Sequence, residues 1–202
     1  EYSEFADNGL GDAGQTHNLY VGAGDGTLVF RHNYSHHAHH GHLLKTRAAI
    51  NYILYNRLMD EVTGNSSYVI DVPNGGLTFI VGNLLQQGPD TENSSMVSYG
   101  AEGLGAGRTH NLYMVNNTLV NDRGAGNFTQ VTGSTAQFVT RNNLYVGNGA
   151  IASQKQPTSS NDLHPAAAGL ANQSGFDYHL TAGSPAIDAG AAAMTSVIKV
   201  SP

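Results

Sequence analysis

Leu77-Thr78-Phe79-Ile80-Val81-Gly82-Asn83-Leu84-Leu85 joins two apolar runs through an asparagine, and the chain returns to that arrangement again and again. The pattern recurs in Leu28–Tyr34, Ile50–Leu58, Leu112–Leu119 and Phe138–Tyr145, centred on Asn33, Asn56, Asn117 and Asn143. Aligned on the asparagine, the position three before it holds Phe30, Ile53, Ile80, Met114 and Thr140. The position two after it holds Ser35, Leu58, Leu85, Leu119 and Tyr145. Two mostly apolar columns at fixed offsets are what stacked coils require, because no coil can bury its apolar side alone. Asparagine suits the corner between the runs: it tolerates left-handed backbone, and its amide can bond to neighbouring turns.

Ahead of each run lies a shorter strand-like piece: Asn18–Val21, His42–Arg47, Tyr68–Val72, Met96–Tyr99 and Phe128–Val131. One coil is then a short strand, a turn, a strand, an asparagine corner, a third strand and a variable loop. The expected fold is all-β: a right-handed parallel β-helix (solenoid) of about five coils over residues 1–150, each rising about 4.8 Å. An antiparallel sandwich would need two-residue hairpin turns at regular intervals, and the sequence does not supply them. The loops vary instead at one recurring place, Asp60 to Ser66, Gln86 to Ser94 and Gly147 onward, while Gly100 to Thr109 lengthens a different corner. Beyond Ile151 the repeat fades, and residues 151–202 are expected to cap the last coil, since an open edge invites strand addition.

The 202 residues suffice for one solenoid domain, and only 12% are charged, so the polar surface comes from Asn, Ser, Thr, Gly and Gln. A net charge of −6 argues against nucleic acid as a partner. No apolar run is long enough for a membrane helix, so no membrane insertion is expected. Cysteine is absent, which excludes disulfides and thiolate metal sites and is compatible with bacterial export. The first residues read like the middle of a repeat, so further coils and an export signal are expected upstream. Six Asn-x-Ser/Thr sequons occur, a number that composition alone explains in so polar a repeat.

The asparagine repeat resembles right-handed parallel β-helix proteins of the pectate-lyase-like superfamily. The tail Gly183-Ser184-Pro185-Ala186-Ile187-Asp188-Ala189-Gly190 looks like the closing sequence of secreted bacterial members. The chain is accordingly expected to be the C-terminal portion of a monomer that is secreted, held at the cell surface or periplasmic, with a polysaccharide as its partner. Gly41-His42-Leu43-Leu44-Lys45-Thr46-Arg47-Ala48 also resembles the catalytic strand of chondroitinase-B-like and alginate-lyase-like enzymes, in which a lysine is the proton-abstracting base. Lys45 matches that lysine. The arginine that those enzymes carry one coil later has no counterpart among Asp71, Val72 and Pro73.

Alternation along the short strands sends Leu44, Thr46, Ile70 and Val72 inward, and Leu43, Lys45, Arg47, Val69 and Asp71 outward, with Tyr20 outward in the first coil. The expected active face therefore carries Tyr20, Lys45, Arg47 and Asp71. β-Elimination from a uronate needs a base at C5 and positive charge on the carboxylate; Lys45 and Arg47 supply both, with His40 or His42 as acid. Tyr99, Glu102 and Arg108 are expected to line the groove, Tyr99 as a stacking platform. The run His36-His37-Ala38-His39-His40-Gly41-His42 could hold a divalent metal through His37, His40 and His42, and Asp71 with a substrate carboxylate could hold calcium. The leading expectation is a polysaccharide lyase acting on a uronate-containing glycan. A non-catalytic glycan-binding or cell-surface module, an epimerase and a glycoside hydrolase are the alternatives.

Overall fold

Alternating side chains and a fixed corner leave the chain one economical way to bury its apolar columns, and it takes it. The computed structural model describes residues 1–9 and 15–192, in which the backbone winds into a parallel β-solenoid of about six turns. Three walls of stacked strands surround the core. The first contains the opening parts of Tyr20–Arg31 and Leu44–Leu54, then Ile70–Val72, Ser95–Tyr99, Asn127–Val131 and Ala150–Gln154. The second continues from the same two long strands through Leu77–Val81, Asn111–Val115, Gln137–Arg141 and Thr158–Ser160. The third stacks Glu4–Ala6, Tyr34–His36, Arg57–Met59, Leu84–Gln87, Thr118–Asn121 and Leu144–Val146.

Both columns read from the sequence stand in register. Phe30, Ile53, Ile80, Met114 and Thr140 face one another up the second wall. Ser35, Leu58, Leu85, Leu119 and Tyr145 do so up the third. Each of these residues is buried. On the first wall Leu44, Ile70 and Val97 form one inward row, and Thr46, Val72, Tyr99 and Val131 belong to the others. Leu43 and Val69, expected outside, are fully buried in the main core. They sit where the chain bends from the third wall into the first, and alternation does not carry through a bend.

The asparagines form a continuous ladder. Asn56 Oδ1 accepts both the backbone N–H (3.0 Å) and the side-chain amide (3.1 Å) of Asn33. Asn83, Asn117 and Asn143 accept the same pair of bonds from the coil before, all between 2.8 and 3.1 Å. The remaining amide hydrogens of Asn56, Asn83, Asn117 and Asn143 go to the carbonyls of Phe30, Ile53, Ile80 and Met114. The sixth turn, one more than expected, escaped the asparagine pattern because Asp162 takes the place of its asparagine, accepting from Asn143 at 2.8 and 2.9 Å. A carboxylate accepts but cannot donate, so it suits the rung at which the ladder stops.

Left-handed backbone does occur at this corner, but one residue earlier than the sequence suggested. His32, Tyr55, Gly82, Asn116, Asn142 and Asn161 have φ between 53° and 67°. The ladder asparagine is thus selected for its hydrogen bonds rather than for its tolerance of positive φ. Gly82 also has no room for a side chain, since a Cβ there would lie 2.5 Å from the Tyr55 ring.

Through residue 192 the tail packs on the outward side of the third wall, where Met59, Val120 and, from the last strand of that wall, Leu144 and Val146 meet Ala168 and Tyr178. Leu170–Asn172 and Asp177–Leu180 pair antiparallel there. Arg57 donates to the Phe176 carbonyl (3.0 Å), and Gln173 to Asp122 (2.8 Å). That wall turns an apolar row outward as well as inward, so it draws the tail to its flank. Residues 193–202 lie outside the described residues.

Candidate functional site

His42-Leu43-Leu44-Lys45 enters the first wall one turn after His17-Asn18-Leu19-Tyr20 and one turn before Tyr68-Val69-Ile70-Asp71. Stacking sets Tyr20 beside Lys45 and Lys45 beside Asp71. The outward row continues with Ser98 and Gln130. Over this row folds the long turn after Tyr99, its backbone bonded to the turn below it by Glu102 N–H to the Pro73 carbonyl (3.0 Å) and Gly105 N–H to the Asn74 carbonyl (3.0 Å).

The turn delivers Glu102 onto both cations. Its Oε1 lies 3.1 Å from Lys45 Nζ and its Oε2 2.6 Å from an Arg47 guanidinium nitrogen. Lys45 is also 3.2 Å from Asp71 Oδ2. Arg47 donates from Nε to the Tyr20 hydroxyl (2.9 Å) and from a terminal nitrogen to Asn74 Oδ1. Burial pushes the Glu102 carboxyl up, but bonds from Arg47 and Lys45 outweigh it and hold the group below its ordinary range. Asp71 goes the other way: burial raises it more than Lys45 lowers it, and its Oδ1 is buried without a hydrogen-bond partner.

Behind Lys45 stands a column of rings. His17 stacks on His42 with centroids 4.6 Å apart, and Tyr68 lies 5.3 Å beyond. The Tyr68 backbone N–H donates to His42 Nδ1 (3.1 Å), which leaves the ring hydrogen on Nε2, 3.4 Å from Asp71 Oδ2. Burial, then the positive charge nearby, holds His42 at about 3 and His17 at about 4, against an ordinary 6.5. Gly41 makes the column possible: a Cβ there would fall 1.4 Å from the Thr16 carbonyl oxygen.

The two histidines give the fold a pH dependence of definite sign. Both are neutral when folded, and below pH 6.5 the unfolded chain binds protons that the fold refuses. Their contribution is complete above pH 6.5 and is lost as pH falls towards 4 and then 3. The loss reaches at most about 1.4 kcal/mol per pH unit and group, less for the more open His17. Asp60 and Asp71, raised by burial, act oppositely: they favour the fold most below the ordinary carboxylate value, and that contribution is lost as pH rises through their raised values. Comparing wild type with His42→Gln isolates the histidine. The stability gap, read by urea unfolding, is expected to narrow from pH 7 towards about pH 4.5. A gap that stays constant contradicts a depressed His42.

Several expected site residues lie elsewhere. Tyr99 belongs to an inward row, is 1% exposed, and donates to the Gly76 carbonyl (2.5 Å), so it cannot act as a stacking platform. Arg108 donates to the carbonyls of Arg47 (3.0 Å) and Gly24 (2.9 Å), which fastens the long turn to the first coil. His40 turns away to Glu92 (2.6 Å), and His42 has both nitrogens engaged in the interior. Neither is placed to protonate a leaving oxygen. His37, His40 and His42 likewise fail to converge; the metal-capable group among the described residues is His36, His37 and Glu61. Calcium wants a shell of oxygens, whereas Asp71 Oδ2 faces an ammonium and an imidazole.

His17, Tyr68 and Asn74 were not anticipated. Superposing the three short segments His17–Tyr20, His42–Lys45 and Tyr68–Asp71 on their last residues would have exposed the ring column. Nothing local announces Asn74 or the reach of Glu102. The fold defines the class, a parallel β-solenoid with a charged cluster on its first wall. Searches against protein-family models, curated proteins and solved structures find no match. Among the described residues no helix is long and apolar enough to cross a membrane.

Proposed function

We propose that the first wall is the active face of a secreted, carbohydrate-active solenoid, a lyase that cleaves uronate-containing polysaccharides. The observation that carries this reading is Glu102, whose carboxylate is held by Lys45 through one oxygen and by Arg47 through the other. A uronate carboxylate would be bound the same way, so Glu102 stands in for substrate. Its side chain is 47% exposed and can swing out while the backbone of the turn stays bonded.

With Glu102 displaced, Arg47 neutralises the sugar carboxylate and makes the C5 proton more acidic. Asp71 Oδ2, 3.2 Å from Lys45 Nζ, is the acceptor to which Lys45 gives up a proton before it acts as the base. Lys45 then takes the C5 proton, the C4–O bond breaks, and a C4–C5 double bond forms. Tyr20, whose oxygen accepts from Arg47, keeps its hydroxyl hydrogen free for the departing oxygen. A glycoside hydrolase is less well supported, because Asp71 is covered by Lys45 and His42 and cannot reach a glycosidic bond.

The test is incubation with alginate, chondroitin and pectin, following the ultraviolet absorbance of the unsaturated product. Product from at least one substrate is expected, with a loss of about 100-fold or more in Lys45→Ala, typical of removing a positioned base. Glu102→Gln is expected to lower KM by weakening the competing carboxylate. No product from any substrate contradicts the lyase reading. Retained glycan binding without product would identify a binding module.

A further inference from the structure

A second cluster lies on the third wall, formed by the other half of the histidine run. His36 Nε2 lies 2.9 Å from Glu4 Oε1, so that nitrogen carries the ring hydrogen and Nδ1 offers a lone pair. The lone pair points at His37 Nδ1, 2.6 Å away. The other nitrogen of His37, Nε2, faces Glu61 Oε2 at 3.4 Å. A neutral His37 has one ring hydrogen to give. On Nδ1 it leaves a lone pair against the Glu61 carboxylate, and on Nε2 it leaves a lone pair against His36. Either tautomer sets acceptor against acceptor, and only an added cation resolves the conflict.

We propose that His36, His37 and Glu61 bind one divalent transition-metal ion, with zinc the natural candidate. One donor atom from each of the three lies within 4.8 Å of the others. Zinc bonds to nitrogen or oxygen at about 2.0–2.1 Å, which puts neighbouring tetrahedral ligands about 3.3 Å apart. The 3.4 Å between His37 Nε2 and Glu61 Oε2 is already that edge. The His36 ring must turn so that its Nδ1 lone pair leaves His37 Nδ1 for the ion, and the side chains are 13%, 23% and 20% exposed, open enough for an ion to enter. Glu4 supplies the outer carboxylate that commonly orients a ligating histidine, and the Tyr34 hydroxyl donates to the other oxygen of Glu61. With no thiolate and three protein ligands, a fourth position is left for water.

Calorimetric titration of the metal-free chain with Zn2+ tests the site, with Co2+ absorption as a second readout. One ion per chain is expected, weakened about 100-fold or more in His37→Ala and in Glu61→Gln and unchanged in the double variant His39→Ala/His40→Ala. Far-ultraviolet circular dichroism checks that each variant is folded, and His36→Gln serves if His37→Ala is not. The proposal is overturned if no stoichiometric binding occurs, which would mean that a proton holds the pair together. It is equally overturned if binding survives both ligand variants or disappears in His39→Ala/His40→Ala, which would mark it as adventitious capture by surface histidines.

Discussion

Asn83→Leu is expected to lower the unfolding free energy by about 3–5 kcal/mol, since each buried group left unpaired costs about 1–3 kcal/mol. Asn83 is 2% exposed and sits in the middle of the ladder. Its loss strands the backbone N–H and one side-chain amide hydrogen of Asn56, the Ile53 carbonyl and one acceptor on Asn117. Leucine fits the volume but returns none of these bonds, and the corner is too well covered for water to replace them. Asp162→Asn is the matched control: an amide oxygen still accepts from Asn143, and the expected cost is about 1 kcal/mol or less. Urea unfolding followed by circular dichroism compares the two. Equal effects would mean that the ladder is a passive consequence of stacking and not a cause of it.

Lys45→Met should be about as damaging, at about 3–5 kcal/mol, because it leaves the buried Asp71 carboxylate without its counter-ion. Asp71 is 3% exposed, and the polar neighbours left to it, His42 and Ser98, supply no positive charge. Adding Asp71→Asn removes the stranded charge and is expected to recover more than half of the loss. The recovery separates folding from chemistry: the double variant regains stability, whereas the proposed lyase activity is not expected to return with it. If Lys45→Met alone is fully stable, Lys45 and Asp71 do not form a buried ion pair.

The periodic features were legible. An apolar column needs only a fixed offset from a recognisable residue, and Asn33, Asn56, Asn83, Asn117 and Asn143 provided that reference. Stacking in register then follows, because a slip of one residue would turn every column outwards. The outward positions of Tyr20, Lys45 and Asp71 followed from the same alternation. The sixth turn was missed for a chemical reason, since Asp162 does an asparagine's accepting but not its donating.

The candidate site was legible only in part. Lys45 and Arg47 could be chosen from one strand, and Glu102 could be placed near them. That Glu102 would neutralise both, that Tyr99 would turn inwards, and that His40 and His42 would part company depended on the paths of non-repeating turns. His36 and His37 were hidden in the same way, because Glu61 reaches them from the following turn.

A stacked β-coil, its core columns and the face on which charge would gather can all be read along the chain, because each depends on short offsets that repeat. Which charges meet and which histidines are buried was settled only when the chain folded. Those outcomes depend on close distances between residues tens of positions apart, and a turn that occurs once carries no period from which its path could be read.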